Sequence, residues 1–449
     1  MSEWFGDLPE RWESKRIGAL LQQRKETNAP VKTDFILSLS AAHGVVPYSE
    51  RVEKGGNKPK NDLTKYSIAH ENDLLVNCMN VLAGSCGVSK WHGAISPVYY
   101  ALYPRNADEI NIWYYNYIFR LVTFYRSLIG ISKGILVHES STGSLNTIRL
   151  RVSMQNMNYV MMPLPPRNEQ DQIVRFLDWR VLGINRLINA KKKLIALLQE
   201  QKRAAINEAV TRGGDGWQDV SLGNLGSFRK GFGGSRADDA ESGGVACIRY
   251  GDIYRSGVLF LHEPITRITA ESSVSYARVY KSEMLFALSG ETKEEIGQAL
   301  VNSIDEDTWC SGDAAIFTAN DNVLYSFLAY ALRCPYVAKQ RASMAKGDII
   351  VHISTSALRR LKILVPPIGE QEAIVSQLDT ICVGIDSKIK IENEQMKLLQ
   401  EYRTRLISDV VTGKMDVRDV VIPDYETVEE TAVVEDDDAD DSFEEAGDE

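Results

Sequence analysis

Residues 165–212 read PPRNEQDQIVRFLDWRVLGINRLINAKKKLIALLQEQKRAAINEAVTR, and residues 366–413 read PPIGEQEAIVSQLDTICVGIDSKIKIENEQMKLLQEYRTRLISDVVTG. The two stretches align without a gap at an offset of 201 residues (366 − 165), and 18 of the 48 aligned positions are identical. Unrelated stretches of this length would share roughly 3 residues at ordinary composition. The chain therefore contains an internal repeat, which organises the rest of the sequence.

Each copy of the repeat predicts one long helix. Its two prolines favour an extended entry, and Asn168 and Gly369 suit the N-cap position. A helix of about 44 residues is roughly 66 Å long at 1.5 Å per residue. The apolar residues form an imperfect heptad seam that drifts near Ile188 and Ile389. Its members are Ile173, Leu177, Ile184, Leu187, Leu194 and Leu198, and then Ile374, Leu378, Ile381, Ile385, Leu399 and Leu406.

We expect the two helices to pack against each other. The antiparallel arrangement is favoured because a globular segment separates the copies and the chain must return. Two unrelated surface helices are the alternative, and the matched starts and the constant offset argue against it.

The composition excludes several classes of protein. With 449 residues the chain has room for two or three domains and a substantial core. It opens MSEWFGDLPERW, without a signal segment, and no apolar run approaches the roughly 18–20 residues that cross a bilayer. Its six cysteines form no CxxC pair, which argues against a disulfide framework or a zinc site. We expect a cytoplasmic protein.

The charge is unevenly distributed. The net charge is −10, but residues 424–449 alone hold 14 acidic residues and no basic one. The remaining body is slightly basic, with 51 Lys and Arg against 47 Asp and Glu. Low hydrophobicity and self-repulsion predict that residues 419–449 form a disordered acidic tail. The tail either solvates the chain or covers a basic DNA-binding groove in cis.

One globular block precedes each copy of the repeat. Over 8–160 and 214–361, short apolar runs alternate with turn residues, which predicts an α/β or α+β fold. The blocks open alike, because setting Trp217 on Trp12 also aligns Gly223 with Gly18. Each holds an aromatic helix, at 113–129 and at 324–332. Elsewhere their loops diverge, which suits two modules that perform one task on two different targets.

No catalytic constellation is evident. The GxxxxGK[ST] and GxSxG motifs are absent, and the six histidines show no metal-binding spacing. Glu291-Thr-Lys293 with Asp252 upstream is a weak nuclease-like pattern, so a standalone nuclease remains one alternative. A coiled-coil scaffold whose blocks bind protein is another, and it predicts no salt-dependent DNA affinity.

Polar, basic, glycine-containing loops in both blocks are the remaining candidates for function. Arg and Lys pair with phosphates or guanine, Asn reads adenine, and a carboxylate accepts from cytosine. The later basic residues Lys339, Arg341 and Lys346 belong to the same group. The candidate DNA-binding residues are Lys54, Asn57, Lys58, Lys60, Asn77, Asn80 and Lys90 in the first block, and Arg229, Lys230, Arg236, Arg249, Tyr250, Glu291 and Lys293 in the second.

Over nearly all of residues 1–418, this layout resembles the DNA-specificity subunit of type I restriction-modification systems. The resemblance is carried by the paired PPxxEQ helix starts at 165–170 and 366–371 and by LISDVVTGKMDVR at 406–418. Within the blocks, GVSKWHGAISPVYY at 87–100 and the segment from GDAAIF to STSAL at 312–358 fit as well. The acidic tail departs from the family pattern.

The resemblance implies a pseudo-twofold fold in which two long antiparallel helices hold two target-recognition domains apart. The domains would be 1–164 and 214–365, with conserved helices at 165–213 and 366–418. Each domain would read one half of a bipartite, asymmetric DNA site, and the two readers would lie about one helical turn, ~34–36 Å, apart. The resemblance further implies a non-catalytic chain without a cofactor or metal site of its own. Two modification subunits would carry S-adenosylmethionine, and restriction subunits would use ATP and Mg.

Overall fold

The computed structural model describes residues 4–41, 43–51, 58–59, 61–79, 81, 84–135, 149–240, 242–347 and 350–425. The chain divides into two compact units, one formed by 1–192 with 393–449 and the other by 193–392. Each unit thus contains one globular block and part of each long helix. Across the described ranges, no helix is both long enough and apolar enough to cross a membrane.

The first unit begins with short strands and helices and then enters the first long helix. Its strands are β1 (Glu13–Arg16), β2 (Leu21–Gln23), β3 (Leu37–Ser40), β4 (Gly44–Pro47), β5 (Ser67–Ala69), β6 (Leu74–Asn77), β7 (Cys86–Val88), β8 (Gly93–Ile95), β9 (Tyr99–Pro104), β10 (Lys133–Ile135), β11 (Arg149–Arg151) and β12 (Met161–Leu164). Its helices are α1 (Ile17–Leu20), α2 (Ile112–Phe119), α3 (Val122–Ser127), α4 (Met154–Met157) and α5 (Arg167–Thr211), which continues into the second unit.

The core of the first block forms around an antiparallel sheet in the order β2-β9-β6-β7. The central strand β6 is buried on both faces because its alternate side chains enter different cores. Leu74 and Val76 join a cluster with Tyr114 and Tyr115 of α2. Leu75 joins a smaller cluster with residues of β3 and β4. The aromatic helix predicted from the sequence therefore covers one face of this sheet.

The second unit has more strands and ends in the second long helix. Its strands are β13 (Gln218–Ser221), β14 (Gly226–Lys230), β15 (Val245–Ile248), β16 (Phe260–Leu261), β17 (Thr266–Ile268), β18 (Ala277–Val279), β19 (Met284–Ala287), β20 (Ser289–Gly290), β21 (Ala299–Asn302), β22 (Thr308–Cys310), β23 (Ala314–Ala319), β24 (Val351–His352) and β25 (Lys362–Val365). Its helices are α6 (Tyr250–Ser256), α7 (Tyr325–Ala331), α8 (Pro335–Met344), α9 (Thr355–Leu358) and α10 (Ile368–Val411), whose later part returns to the first unit.

Two sheets pack together in the second block. One has the order β14-β23-β19-β21-β16, and the other has the order β17-β15-β22-β18. Alternation along β19 explains the layering, since Leu285 joins the cluster that includes β15, β18 and β22. Met284 and Phe286 face the opposite side and pack in the cluster with α7 and α8. The five-stranded sheet is therefore covered on both faces.

Within each unit, segments of α5 and α10 run antiparallel. In the first unit the Asn185 Oδ1 accepts a hydrogen bond from the Arg403 Nη1 at 3.0 Å, and Lys191 donates to Gln395. In the second unit the Lys202 Nζ lies 2.7 Å from the Asp386 carboxylate. As the residue number increases along α5, the number of its partner on α10 decreases. The predicted antiparallel helix pair is therefore confirmed.

The predicted apolar seam is only partly correct. Ile173, Leu177 and Ile184 are buried, but Leu187 and Leu194 are 54% and 42% exposed. Ile188 is fully buried in place of Leu187. A helix has 3.6 residues per turn, so steps of three and of four from Ile184 both stay on one side of it, and the packing selects Ile188.

The chain leaves α10 and packs back onto the first unit. Val417 is buried, and the Gln172 Nε2 donates to the carbonyls of Val417 and Val420 at 3.0 and 2.9 Å. Ile422 packs against the same core, and the Tyr425 hydroxyl donates to the Arg175 carbonyl at 3.4 Å. Residues 419–425 thus belong with the first unit, although the sequence assigned them to the acidic tail. Residues 426–449 lie outside the described residues.

Candidate nucleic-acid interface

The repeated Gln of the PPxxEQ motif joins each long helix to its block. Gln170 is fully buried, and its Nε2 donates to the carbonyls of Pro165 at 2.8 Å and Glu109 at 2.9 Å. Its Oε1 accepts from the backbone amide of Asn111 at 2.9 Å, immediately before α2. One amide thus satisfies three backbone groups that a buried joint would otherwise leave unpaired.

Gln371 makes the same bonds in the second unit. Its Nε2 donates to the carbonyls of Pro366 at 2.8 Å and Asn322 at 3.3 Å. Its Oε1 accepts from the amide of Leu324 at 2.8 Å, immediately before α7. The repeated Gln therefore positions the aromatic helix of each block, which is a structural role rather than a DNA-binding one.

The neighbouring Glu forms an equivalent ion pair in each unit. The Glu169 carboxylate accepts from Arg11, whose side-chain pKa is raised by this hydrogen bond. Glu370 pairs with Arg212 at 2.7 Å and also accepts from the Trp217 Nε1 at 3.0 Å. The PPxxEQ motif is thus a structural joint between each long helix and its block.

The second block carries an open cleft of about 390 Å³. The Ser289 Oγ lies 3.0 Å from the His352 Nδ1, because β20 and β24 pair these two residues across the sheet. His352 also pairs with Lys346 through two backbone hydrogen bonds of 2.7 and 2.9 Å. Lys230, at the end of β14, lines the cleft together with Lys346 and Asp313. The cleft is thus lined by two lysines, one aspartate, two serine hydroxyls and one imidazole, together with apolar side chains.

Two predicted DNA-binding arginines are instead engaged within the second block. Arg229 pairs with Glu283 and donates to the Arg278 carbonyl at 2.6 Å. Arg249 donates to the Ser235 carbonyl at 2.7 Å and pairs with Asp239, and its side chain is only 16% exposed. Both guanidinium groups hold loops together in this structure, whereas the candidate Lys230 and Lys346 of the later basic group line the cleft.

The other second-block candidates lie at the surface or cannot be placed. Tyr250 begins α6 and is 39% exposed, while Glu291 and Lys293 are exposed in the turn after β20. Arg236 lies in a short 3-10 turn (Arg236–Asp238), and its side chain is outside the described residues. Arg341, by contrast, is 3% exposed, and burial lowers its pKa to about 10, so this member of the later basic group belongs to the core.

The nuclease alternative finds no support in the second block. Asp252 is buried, where its carboxylate accepts from the Arg249 amide at 2.9 Å and from the Thr266 hydroxyl at 3.1 Å. It thus caps α6. In the part of the chain that the structure describes, no group of three or more His, Cys, Asp and Glu side chains could hold a metal ion.

In the first block, few candidates can be placed. Asn77 is 8% exposed, and its Oδ1 accepts from the Met79 amide at 3.1 Å, which gives it a local turn role. Lys58 and Lys90 are exposed. The remaining candidates, Lys54, Asn57, Lys60 and Asn80, lie outside the described residues.

Sequence reasoning missed a histidine pair near Lys90. The His70 and His92 rings meet at 4.7 Å, since β5 and β8 pair the residues beside them. The His70 Nε2 lies 2.7 Å from Glu26, and hydrogen bonds from Lys32 and His70 lower the Glu26 pKa to about 2. Only the strand register brings these residues together, and spacing along the chain carries no signal of it.

Known proteins are similar to this chain in sequence and in fold. Residues 214–400 match the type I restriction modification DNA specificity domain. The chain is also 23% identical over 439 residues to the type I restriction enzyme MjaVIII specificity subunit of Methanocaldococcus jannaschii. That alignment covers 92% of this chain and 95% of the relative.

Two solved structures share the fold. One, from work on complex assembly and conformational transition of the type I R-M system, aligns with a TM-score of 0.69 at 14% identity and covers 91% of this chain and 100% of that chain. The HsdS subunit from Thermoanaerobacter tengcongensis gives 0.52 at 15% identity, with 92% and 100% covered. The predicted α/β class with paired long helices is thus confirmed. The predicted resemblance to the DNA specificity subunits of type I restriction-modification systems is confirmed as well.

Proposed function

We propose that this chain is the sequence-specific DNA-binding subunit of a type I restriction-modification complex, with each block reading one half of a bipartite, asymmetric site. The observation that supports this most is that the two units share the same joint between helix and block, while their blocks differ in structure. Gln170 and Gln371 make the same joint, whereas the largest described sheet of the first block has four strands and the second block pairs a five-stranded sheet with a four-stranded one. Equivalent frames with different loops suit two different half-sites.

In the second block, the cleft around Lys230, Lys346 and His352 is the surface that meets DNA under this proposal. Lysine ammonium groups bind phosphates, while serine hydroxyls, imidazole and carboxylate can read base edges in the major groove. Because phosphate contacts release counterions, the affinity of the chain for duplex DNA falls steeply as salt rises. A scaffold that binds only protein would lack this dependence.

The chain acts without catalysis of its own under this proposal. Two modification subunits supply S-adenosylmethionine and the methyl transfer, and restriction subunits supply ATP- and Mg-dependent cleavage. The complex works in the cytoplasm. The chain's contribution is to choose the DNA sequence on which these partners act.

Methylation mapping of genomic DNA tests the proposal. Cells with and without this gene are compared, in the presence of an active modification subunit. Loss of a split, asymmetric methylated motif together with the gene is the expected result, and it also reports both half-sites. An unchanged methylation pattern, with the modification subunit expressed and active, would refute the proposal.

A further inference from the structure

The segment Gly231-Phe232-Gly233-Gly234 follows β14 and is held rigidly by the second block. The Gly231 amide donates to the Ala314 carbonyl at 3.0 Å, and the Gly233 carbonyl accepts from the Gly312 amide at 2.8 Å. A Cβ on Gly231 would lie 2.1 Å from the Ser311 carbonyl oxygen. A Cβ on Gly233, whose φ is +80°, would lie 2.3 Å from the Ser275 carbonyl oxygen. Glycine is thus required by close backbone approach on both sides of Phe232.

Phe232 is displayed by this rigid segment and is 54% exposed. Burial of a phenylalanine ring is favourable in free energy, and an exposed ring does not gain this stabilisation. Because its backbone is fixed between two packed glycines, the loop cannot fold the ring inward without losing those contacts. The rigid support thus keeps an apolar ring at the surface, where it is available to an apolar group of a bound molecule.

The Phe232 backbone lies beside the cleft. Gly312 lines the cleft, and a Cβ on Gly312 would lie 3.7 Å from the Phe232 Cα. Lys230, two residues before Phe232, lines the same cleft with Lys346, His352 and the opposing carboxylate of Asp313. The segment therefore brings an apolar side chain next to a cleft lined by two cations and one anion, a combination that fits a polyanion with an apolar group within reach.

We propose that Phe232 contacts the C5-methyl group of a thymine in the half-site read by the second block. This inference rests on the proposed function of the chain. The thymine methyl is the apolar group that base pairs present in the major groove, and phenylalanine is among the side chains that contact it. Lys230 and Lys346 hold the flanking phosphates, which position the ring without selecting a base.

Methylation mapping of the Phe232→Ala chain, assembled with its modification subunit, provides the first test. The expected result is a motif that becomes degenerate at one thymine position of a single half-site and stays intact in the other half-site. The matched control is Tyr336→Ala, which removes an aromatic side chain 42% exposed on α8; its motif should equal that of the parent. An unchanged motif for Phe232→Ala overturns the thymine contact while the proposed function stands.

A second test uses the parent complex and changes only the DNA, so that its main result does not depend on the folding of a variant. Binding of the parent complex is measured on a duplex containing the mapped site and on one with uracil in place of that thymine, which removes only the methyl group. The parent should bind the uracil duplex roughly 5-fold or more weakly, at the low end of the effect of a wrong base pair, and Phe232→Ala should bind both alike. Equal binding of both duplexes by the parent overturns the inference. Reduced assembly of Phe232→Ala with the modification subunit, at an unchanged motif, assigns the ring to that protein instead and overturns it too. A parent complex that methylates no split motif defeats the proposed function itself.

Discussion

Arg11 holds the buried carboxylate of Glu169 with two hydrogen bonds, of 2.6 and 3.1 Å, across 158 positions of sequence. Arg212 and Glu370 are separated by the same 158 positions and form the equivalent pair at 2.7 Å. The surroundings of the two pairs differ. Glu169 is 5% exposed, whereas the Glu370 side chain is 30% exposed and keeps a second partner in Trp217.

Arg11→Ala should therefore destabilise the chain more than Arg212→Ala. Removing Arg11 leaves a buried charge without its bidentate partner, at a cost of about 2–3 kcal/mol. Removing Arg212 should cost about 1 kcal/mol or less, because water and Trp217 still serve Glu370. Urea unfolding of the two variants measures the difference, and equal losses would contradict this account of the joint.

Gly231→Ala should impair recognition by the second block alone. The new methyl group would meet the Ser311 carbonyl oxygen at 2.1 Å, so the segment carrying Phe232 and Lys230 must shift. We expect the second half-site of the methylated motif to be lost or relaxed and the first to be kept. Gly251→Ala is the matched control, since an added Cβ there meets nothing within 4 Å. Loss of both half-sites would indicate general unfolding instead.

Exchange of the first block, residues 8–160, for that of a relative should change one half of the recognised site. The frame contacts β1–β12 and Gln170–Asn111 are expected to form in the hybrid, because they use backbone groups and the repeated Gln. Methylation mapping of the hybrid reads both halves. A change in both halves, or in neither, would disprove the modular assignment.

Glu26→Gln should weaken the first block in a pH-dependent way. The folded-state pKa of Glu26 is lowered from 4.5 to about 2, by Lys32 and His70. The stabilisation by the carboxylate is therefore complete above about pH 4.5 and is lost as pH falls through about 2. We expect a loss on the order of 1 kcal/mol at pH 7, given the partial exposure of the pair. The difference in free energy of unfolding between the parent and Glu26→Gln, measured with urea, should become smaller from pH 5 to pH 3. Glu71→Gln, an exposed carboxylate in the neighbouring turn, is the control and should show no such narrowing.

The long helices could be predicted because their signals are local and repeated. The entry prolines and apolar spacing lie within one segment, and a gap-free repeat removes chance as an explanation. The exact seam could not be predicted, because Leu187 and Ile188 are both apolar and only the packing decides that Ile188 is buried. Local pattern thus predicts an element better than it predicts its contact face.

The candidate site was harder to predict because it depends on pairings distant in sequence. Arg229 was predicted to bind DNA, but its guanidinium pairs with Glu283, which lies 54 positions away in the sequence. Ser289 and His352 are 63 positions apart and meet only through the register of β20 and β24. Charge type alone does not distinguish an arginine that is available from one that is already paired.

The first unit is discontinuous in sequence, and this determines when it can fold during synthesis. The second unit is a continuous segment, 193–392, so all of it has left the ribosome before residue 449 is added. The first unit needs Leu406 and Val410 in its core and the Val411 carbonyl for the Tyr114 hydroxyl. At roughly 5–20 residues per second, these residues follow Tyr114 by about 15–60 s. The first block is therefore synthesised first but completed last, because its aromatic core also needs residues 406–411.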